Sequence, residues 1–176
     1  MRLGRRIPYR HILTRWWPWL ERIKVNAEKH LEDFVAGQRI RSGEFVATAE
    51  LVRSFTQAYD PQPMHLDEEA AQASMFGGLI GSGWQTLAIT MRLLVDAKLL
   101  GTTPIVGVAL KDVRFHKPMR PGDVLTAQAE VLGTRISRSN SGRGFLDLLV
   151  ITSNQLGERL VTQNWTLSVP SNSRAT

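Results

Sequence analysis

The residues best equipped for chemistry fall in one stretch, Tyr59-Asp60-Pro61-Gln62-Pro63-Met64-His65. A carboxylate and an imidazole five positions apart do not share a regular helical face. Two prolines lie between them, fixing their own φ and pushing the preceding residues towards extended backbone. The segment therefore reads as a stiff turn that can aim both side chains at one point. General acid–base catalysis needs that convergence, because both groups must reach one substrate or one water. The plainer interpretation of an isolated Asp-x4-His pair is a turn-capping Asp beside a hydrogen-bonded structural His.

A second feature follows a dozen residues downstream, in Gly77-Gly78-Leu79-Ile80-Gly81-Ser82-Gly83-Trp84. Its glycines crowd the entry to an apolar helix, with Ser82 at the cap position. Bare backbone N–H groups at the positive end of a helix can be approached closely there, and such donors suit a developing oxyanion. Tight packing alone is the competing use of these glycines. Tyr59 and Trp84 read as lining for a pocket or for the core.

The elements that must position these groups can be sketched. Leu51, Val52, Phe55, Ala58 and Tyr59 recur at helical spacing, with Thr48 as N-cap and Glu50 in the first turn. Asp67, Glu68 and Glu69 open a short helix that stops at Gly77–Gly78. The longest helix runs from about Ser82 to about Leu100. Its stripe of Trp84, Leu87, Ala88, Met91, Leu94, Val95 and Leu99 implies a largely buried element. Beyond Gly101 the pattern turns to strands: "IVGVALKDVRFHKP", then the turn "RPGD", "VLTAQAEVLGTRIS", the polar loop "RSNSGRG", "FLDLLVITSN", the turn "QLGE" and "RLVTQNWTLSV". Successive strands joined by turns predict an antiparallel meander, and the apolar helix before it suggests an α+β sheet wrapped around that helix.

"YDPQPMHLDEEAA" followed by "FGGLIGSGWQT" resembles the MaoC-like acyl dehydratases, the group that includes (R)-specific enoyl-CoA hydratases. The family signature Asp-x-Asn-Pro-x-His appears here as Asp60-Pro61-Gln62-Pro63-Met64-His65. "VRFHKPMRPGD" is similar to the family's F-x-x-P-x-x-x-G-D strand and turn, and the likeness spans about residues 30–170. The resemblance implies a hotdog fold, edge-to-edge homodimers or a dimer of dimers, and reversible hydration of trans-2-enoyl-CoA to (3R)-hydroxyacyl-CoA. It implies no metal and no cofactor beyond the coenzyme A of the substrate. Asp60 and His65 match the catalytic pair, with Asp60 taken as the base and His65 as the group that orients water. Gly83 matches the glycine whose N–H binds the thioester oxygen, and Tyr59, Gln62, Ser82 and Trp84 are the expected substrate contacts. Two departures stand out. Gln62 replaces the usual Asn while keeping an amide, and the serine that some members carry on the central helix falls at Met91 here. Two alternatives remain: a hotdog thioesterase, which usually carries its carboxylate on a central helix that here has only Asp96, and a non-catalytic acyl-binding domain.

Other polar groups lack a comparable setting. Arg114, His116, Lys117 and Arg120 read as a solvated strand edge or as contacts to coenzyme A phosphates, and the same choice applies to Arg135, Arg138 and Arg143. His11 and His30 have no acidic partner in a motif.

Composition closes off other classes. The 176 residues contain no cysteine, so a disulfide scaffold, a Cys-ligated metal and a thiol nucleophile are excluded. A reducing, cytoplasmic setting is expected. No apolar run approaches the roughly 20 residues that span a bilayer. The net charge of +6 resides in residues 1–24, where seven basic side chains face only Glu21; residues 25–176 are balanced. The body therefore offers no basic face for nucleic acid. The chain divides into a basic Trp/Arg-rich arm at 1–29, one domain at 30–170 and a polar tail at 171–176. An accessory arm packing on the body is preferred to membrane-surface attachment, because Pro18 interrupts any long helix there.

Overall fold

The computed structural model describes residues 27–172. The expectations for the arm and tail therefore lie largely outside the described residues. Among those described, no helix is long and apolar enough to cross a membrane.

The chain enters beside Gly101, with which Glu28 forms a bridge, and makes a 3-10 turn at Leu31–Asp33. Two short strands follow, β1 (Arg39–Arg41) and β2 (Phe45–Val46), neither of which the sequence pattern announces. They are too short to show alternation. Both pair with the same long strand, which supplies the order they lack.

Helix α1 (Ala49–Tyr59) starts as expected: the Thr48 hydroxyl accepts from the Leu51 N–H at 3.2 Å. Val52 and Thr56 face inward, whereas Ala58 and Tyr59 lie on the exposed side of the last turn. A one-turn helix, α2 (Pro63–Leu66), comes next with Pro63 at its first position, where a missing N–H costs nothing. The stiff turn is thus extended only as far as Gln62, and His65 stands on a helical turn. Helix α3 (Glu68–Ala73) is capped by Asp67, which accepts from Ala70 at 2.8 Å. The helix ends at Ala73 with Ser74 as its C-cap, earlier than the expected stop at Gly77–Gly78, and those glycines turn the chain further on with positive φ values of 58° and 146°.

The central helix α4 (Gly83–Asp96) ends one turn earlier than the sequence suggested, and it buries a different face. Gln85, Thr86, Ile89, Thr90, Leu93 and Leu94 point inward, while Trp84, Met91 and Val95 are exposed. Most of the inward polar groups are bonded; among the described residues Gln85 Oε1 has no partner. Thr86 donates to the Ser82 carbonyl, Thr90 to the Thr86 carbonyl, and Gln85 Nε2 to the Leu51 carbonyl. Thr90 also meets Thr152 across the core at 2.6 Å. Most of the expected apolar stripe therefore lies at the edge of the core.

Four long strands complete the fold: β3 (Val106–Phe115), β4 (Val124–Ile136), β5 (Arg143–Ser153) and β6 (Arg159–Pro170). All pairings are antiparallel, in the order β1-β4-β5-β6-β3, with β2 also on β4. Strands β4, β5 and β6 form the expected meander. The "RPGD" turn is not a hairpin, however, because β3 crosses to the far edge and pairs with β6. Alternate residues of the meander, including Leu125, Ala127, Ala129, Leu146, Leu148, Val150 and Leu167, pack with Ile89, Leu93 and Leu94 of α4 in one core. A bulge between Lys111 and Arg114 puts Asp112 at φ 51° and explains why the β3 apolar pattern jumps phase from Leu110 to Val113.

Candidate active site

Three local structures meet at the expected pair. Asp60 is the C-cap of α1, His65 lies in α2, and the glycine-rich segment runs alongside them into α4. His65 is buried, and its Nε2 lies 3.4 Å from Asp60 Oδ2. On the opposite side of the ring, Nδ1 donates to the Ile80 carbonyl at 2.9 Å. A carbonyl can only accept, so in neutral His65 the proton sits on Nδ1 and the Nε2 lone pair faces Asp60. Ile80 N also donates to the Met64 carbonyl, so this one residue holds α2 through both of its backbone groups.

Asp60 is braced from two sides. The Ser82 hydroxyl holds its carboxyl below the usual carboxylate range, and the Gln62 amide adds to this, donating to Oδ1 at 2.6 Å. Partial burial opposes them, while nearby His65 lowers the value further. Asp60 thus remains ionised even in weakly acidic water. Gln62, in place of the family's Asn, supplies the brace with its longer amide.

A cleft of about 380 Å³ opens over the pair. Gly83 lines it at the first position of α4, where a helical N–H has no intrahelical acceptor. A side chain there is disfavoured, since a Cβ would come within 2.8 Å of Phe115 Cε1. Gly81 is tied down separately, its N–H donating to the Met119 carbonyl at 2.8 Å. The cleft thus brings together two proton acceptors, a bare amide at a helix N-terminus and apolar walls that include Phe76, Ile80 and Met119.

The expected substrate contacts separate. Gln62 and Trp84 line the cleft. Ser82 does not: it is fully buried, caps α4 by accepting from the Trp84 N–H, and acts through Asp60. Tyr59 is 77% exposed and packs at a tilt against Phe55 outside the cleft, because the last turn of α1 carries it to the outer face. His116 and Lys117 reach the cleft mouth, His116 beside Thr162 and Lys117 paired with Glu158. Groups with no sequence signal also shape the site. The Ile80 carbonyl is one, being backbone, whereas Phe115 at the end of β3 and Met119 just beyond it fall within the quoted VRFHKPMRPGD stretch.

The family described as MaoC like domain matches residues 34–152, more than half of the chain. The chain belongs to the MaoC-like dehydratase family. The uncharacterized protein YdeM of Bacillus subtilis is 35% identical over 125 residues, which cover 71% of this chain and 87% of that one. The 3-hydroxyacyl-thioester dehydratase Z of Mycobacterium tuberculosis is 31% identical over 121 residues, 67% of this chain and 78% of its own. Among solved structures, the MaoC-like dehydratase of Rhodospirillum rubrum superposes with a TM-score of 0.75 at 38% identity, covering 82% of this chain and 99% of its own. The α+β architecture, an antiparallel sheet around α4, is the hotdog fold of this hydratase and dehydratase family.

Proposed function

We propose that this MaoC-like protein is a hydro-lyase that adds water to trans-2-enoyl-CoA to give (3R)-hydroxyacyl-CoA, and catalyses the reverse dehydration. The observation that carries the reading is the 3.4 Å separation of Asp60 Oδ2 and His65 Nε2 in the cleft that Gly83 also lines. Two acceptors side by side hold one water by its two protons and turn its lone pair towards the β-carbon of a bound thioester.

Attack forms the C–O bond while the π electrons move through Cα to the thioester oxygen. The Gly83 N–H stabilises the negative charge that develops there, a donor of the kind worth about 2.7–4 kcal/mol of barrier. The proton lost by water passes to the Asp60–His65 pair and is returned to Cα, so the elements of water are added without net consumption of any group. An ionised Asp60 beside a His65 with its Nε2 lone pair free fits this two-acceptor arrangement. The position of Asp96, at the far end of α4 and paired with Arg92, favours hydration over thioester hydrolysis.

The same reading takes β3 as a dimer edge. Its outer side has no strand partner among the described residues, and Val106, Val108 and Leu110 are exposed on this strand. Pairing with β3 of a second copy covers this edge. The deciding assay uses crotonyl-CoA. Loss of the conjugated-enone absorbance without release of free thiol is expected. Thiol release, or no change with any enoyl-CoA, overturns the assignment.

A further inference from the structure

At the opposite end of α4 from Gly83, a groove of about 580 Å³ lies between the last turn of the helix and the segment leading to β3. It shares no lining residue with the catalytic cleft, and Val95 on its wall stands about 18 Å along the helix from Gly83. Its surface is mostly apolar. Leu99 and Leu100 are buried in the wall, Ile105 is half-buried, and Val95 and Pro104 are exposed, Val95 by 49%. Apolar surface of this kind gains from a cover.

The chain itself arrives on the rim. Glu28 bridges Gly101, and a Cβ on Gly101 would strike the Ala27 carbonyl. Lys29 N–H donates to Thr103 Oγ1 at 3.1 Å, and that hydroxyl donates to the Lys29 carbonyl at 3.0 Å. Lys29 Nζ donates to the Leu99 carbonyl at 3.2 Å. Leu99, Gly101 and Thr103 all line the groove, so residues 27–29 are fastened to its edge. The residues just before them hold Trp16, Trp17, Trp19, Leu20, Ile23 and Val25. From Ala27, the eight residues to Trp19 reach at most about 28 Å. That tether holds these side chains near the groove at an effective concentration in the millimolar range, an advantage no separate molecule has. Each tryptophan has about 150–250 Å² to bury, and the interspersed arginines can keep their charged heads in water.

We propose that this groove is the docking site for residues 16–25 of the same chain, whose indole and aliphatic groups cover Val95, Pro104 and Ile105. The assignment gives the arm a place on the body and takes its tryptophans away from any membrane surface. It is independent of the hydratase reading.

Chymotrypsin acting on the folded full chain tests this, with cleavage after Trp19 and Leu20 followed by mass spectrometry. Val95→Lys and Pro104→Lys put a charge into the groove at exposed positions. Leu156→Lys puts one on the β5–β6 turn, at the other end of the sheet. Cleavage should be at least about tenfold faster in both groove variants than in the unsubstituted chain, with unchanged circular dichroism, and unaltered in Leu156→Lys. Equal rates in all four proteins overturn the inference. So does an unsubstituted arm that is cut rapidly in solution and protected only by vesicles of anionic lipid, which would make it a membrane anchor. The chain has no cysteine, so Trp19→Cys combined with Val95→Cys supplies the sole thiols. An intrachain disulfide is expected on mild oxidation. A covalent dimer in its place would show that the arm enters the groove of a second copy, and same-chain docking would fall.

Discussion

Asp60 collects interactions that a turn-capping residue would not need, and they set its behaviour with pH. Ser82, Gln62 and His65 all favour the charged form, so Asp60 titrates below 3.8 in the folded protein. Its contribution to stability is complete above the unfolded-state value and is lost as the pH falls through the lower folded-state value. Ser82→Ala removes the largest of these influences. The Asp60 carboxyl resonance, followed by carbon NMR, should then titrate at higher pH, towards 3.8. The lost cap on α4 should cost about 1 kcal/mol in denaturant unfolding. An unmoved titration would remove Ser82 from the site. For catalysis, Asp60→Asn and His65→Gln should each lower kcat/KM on crotonyl-CoA by at least about 100-fold with unchanged circular dichroism. Near-wild-type turnover in either variant excludes that residue from the chemistry. The proline-braced Asp60/His65 segment and the Ser82 cap followed by Gly83 were legible in the sequence because their types and spacing are local. Tyr59 was misplaced, since a helix-terminal aromatic carries no mark of which way its turn will face.

At the scale of elements, α4 and β3 show where periodicity misleads. A helix buries the face its partners require. Here threonines satisfied by their own preceding turn allow a polar face inward, leaving Trp84, Leu87 and Met91 to border a groove. The starts of α1 and α3 were readable from Thr48 and from the acidic run at Asp67, whose caps depend on only a few neighbouring residues, whereas the end of α3 at Ala73 was not. In β3 the left-handed Asp112 marks the bulge that shifts register against β6, and its Oδ2 accepts from Asn164. Asp112→Val and Asp112→Gly both delete that carboxylate, so their difference isolates the backbone. The Val variant should be less stable than the Gly variant by about 1–2 kcal/mol in urea unfolding. Equal stabilities would mean the bulge relaxes elsewhere.

Over the whole molecule, the crossover that sends β3 to the far edge was beyond local reading, because strand order depends on pairings some fifty residues apart. Among the described residues, that topology leaves an apolar edge without a strand partner. The dimer assignment predicts a mass near twice 19.7 kDa by light scattering. Val108→Lys places a charge on that edge and should shift the protein towards the monomer mass. A monomeric wild type would refute edge pairing. Three stretches close together in sequence, between Asp60 and Gly83, pass one imidazole, and the group that sets its tautomer is the main-chain oxygen of Ile80. Every amino acid carries that oxygen, so no codon change at position 80 can delete it. Residue 80 is thus free to vary under selection while the proton it pins remains in place, and only changes that redirect the chain path can unseat it.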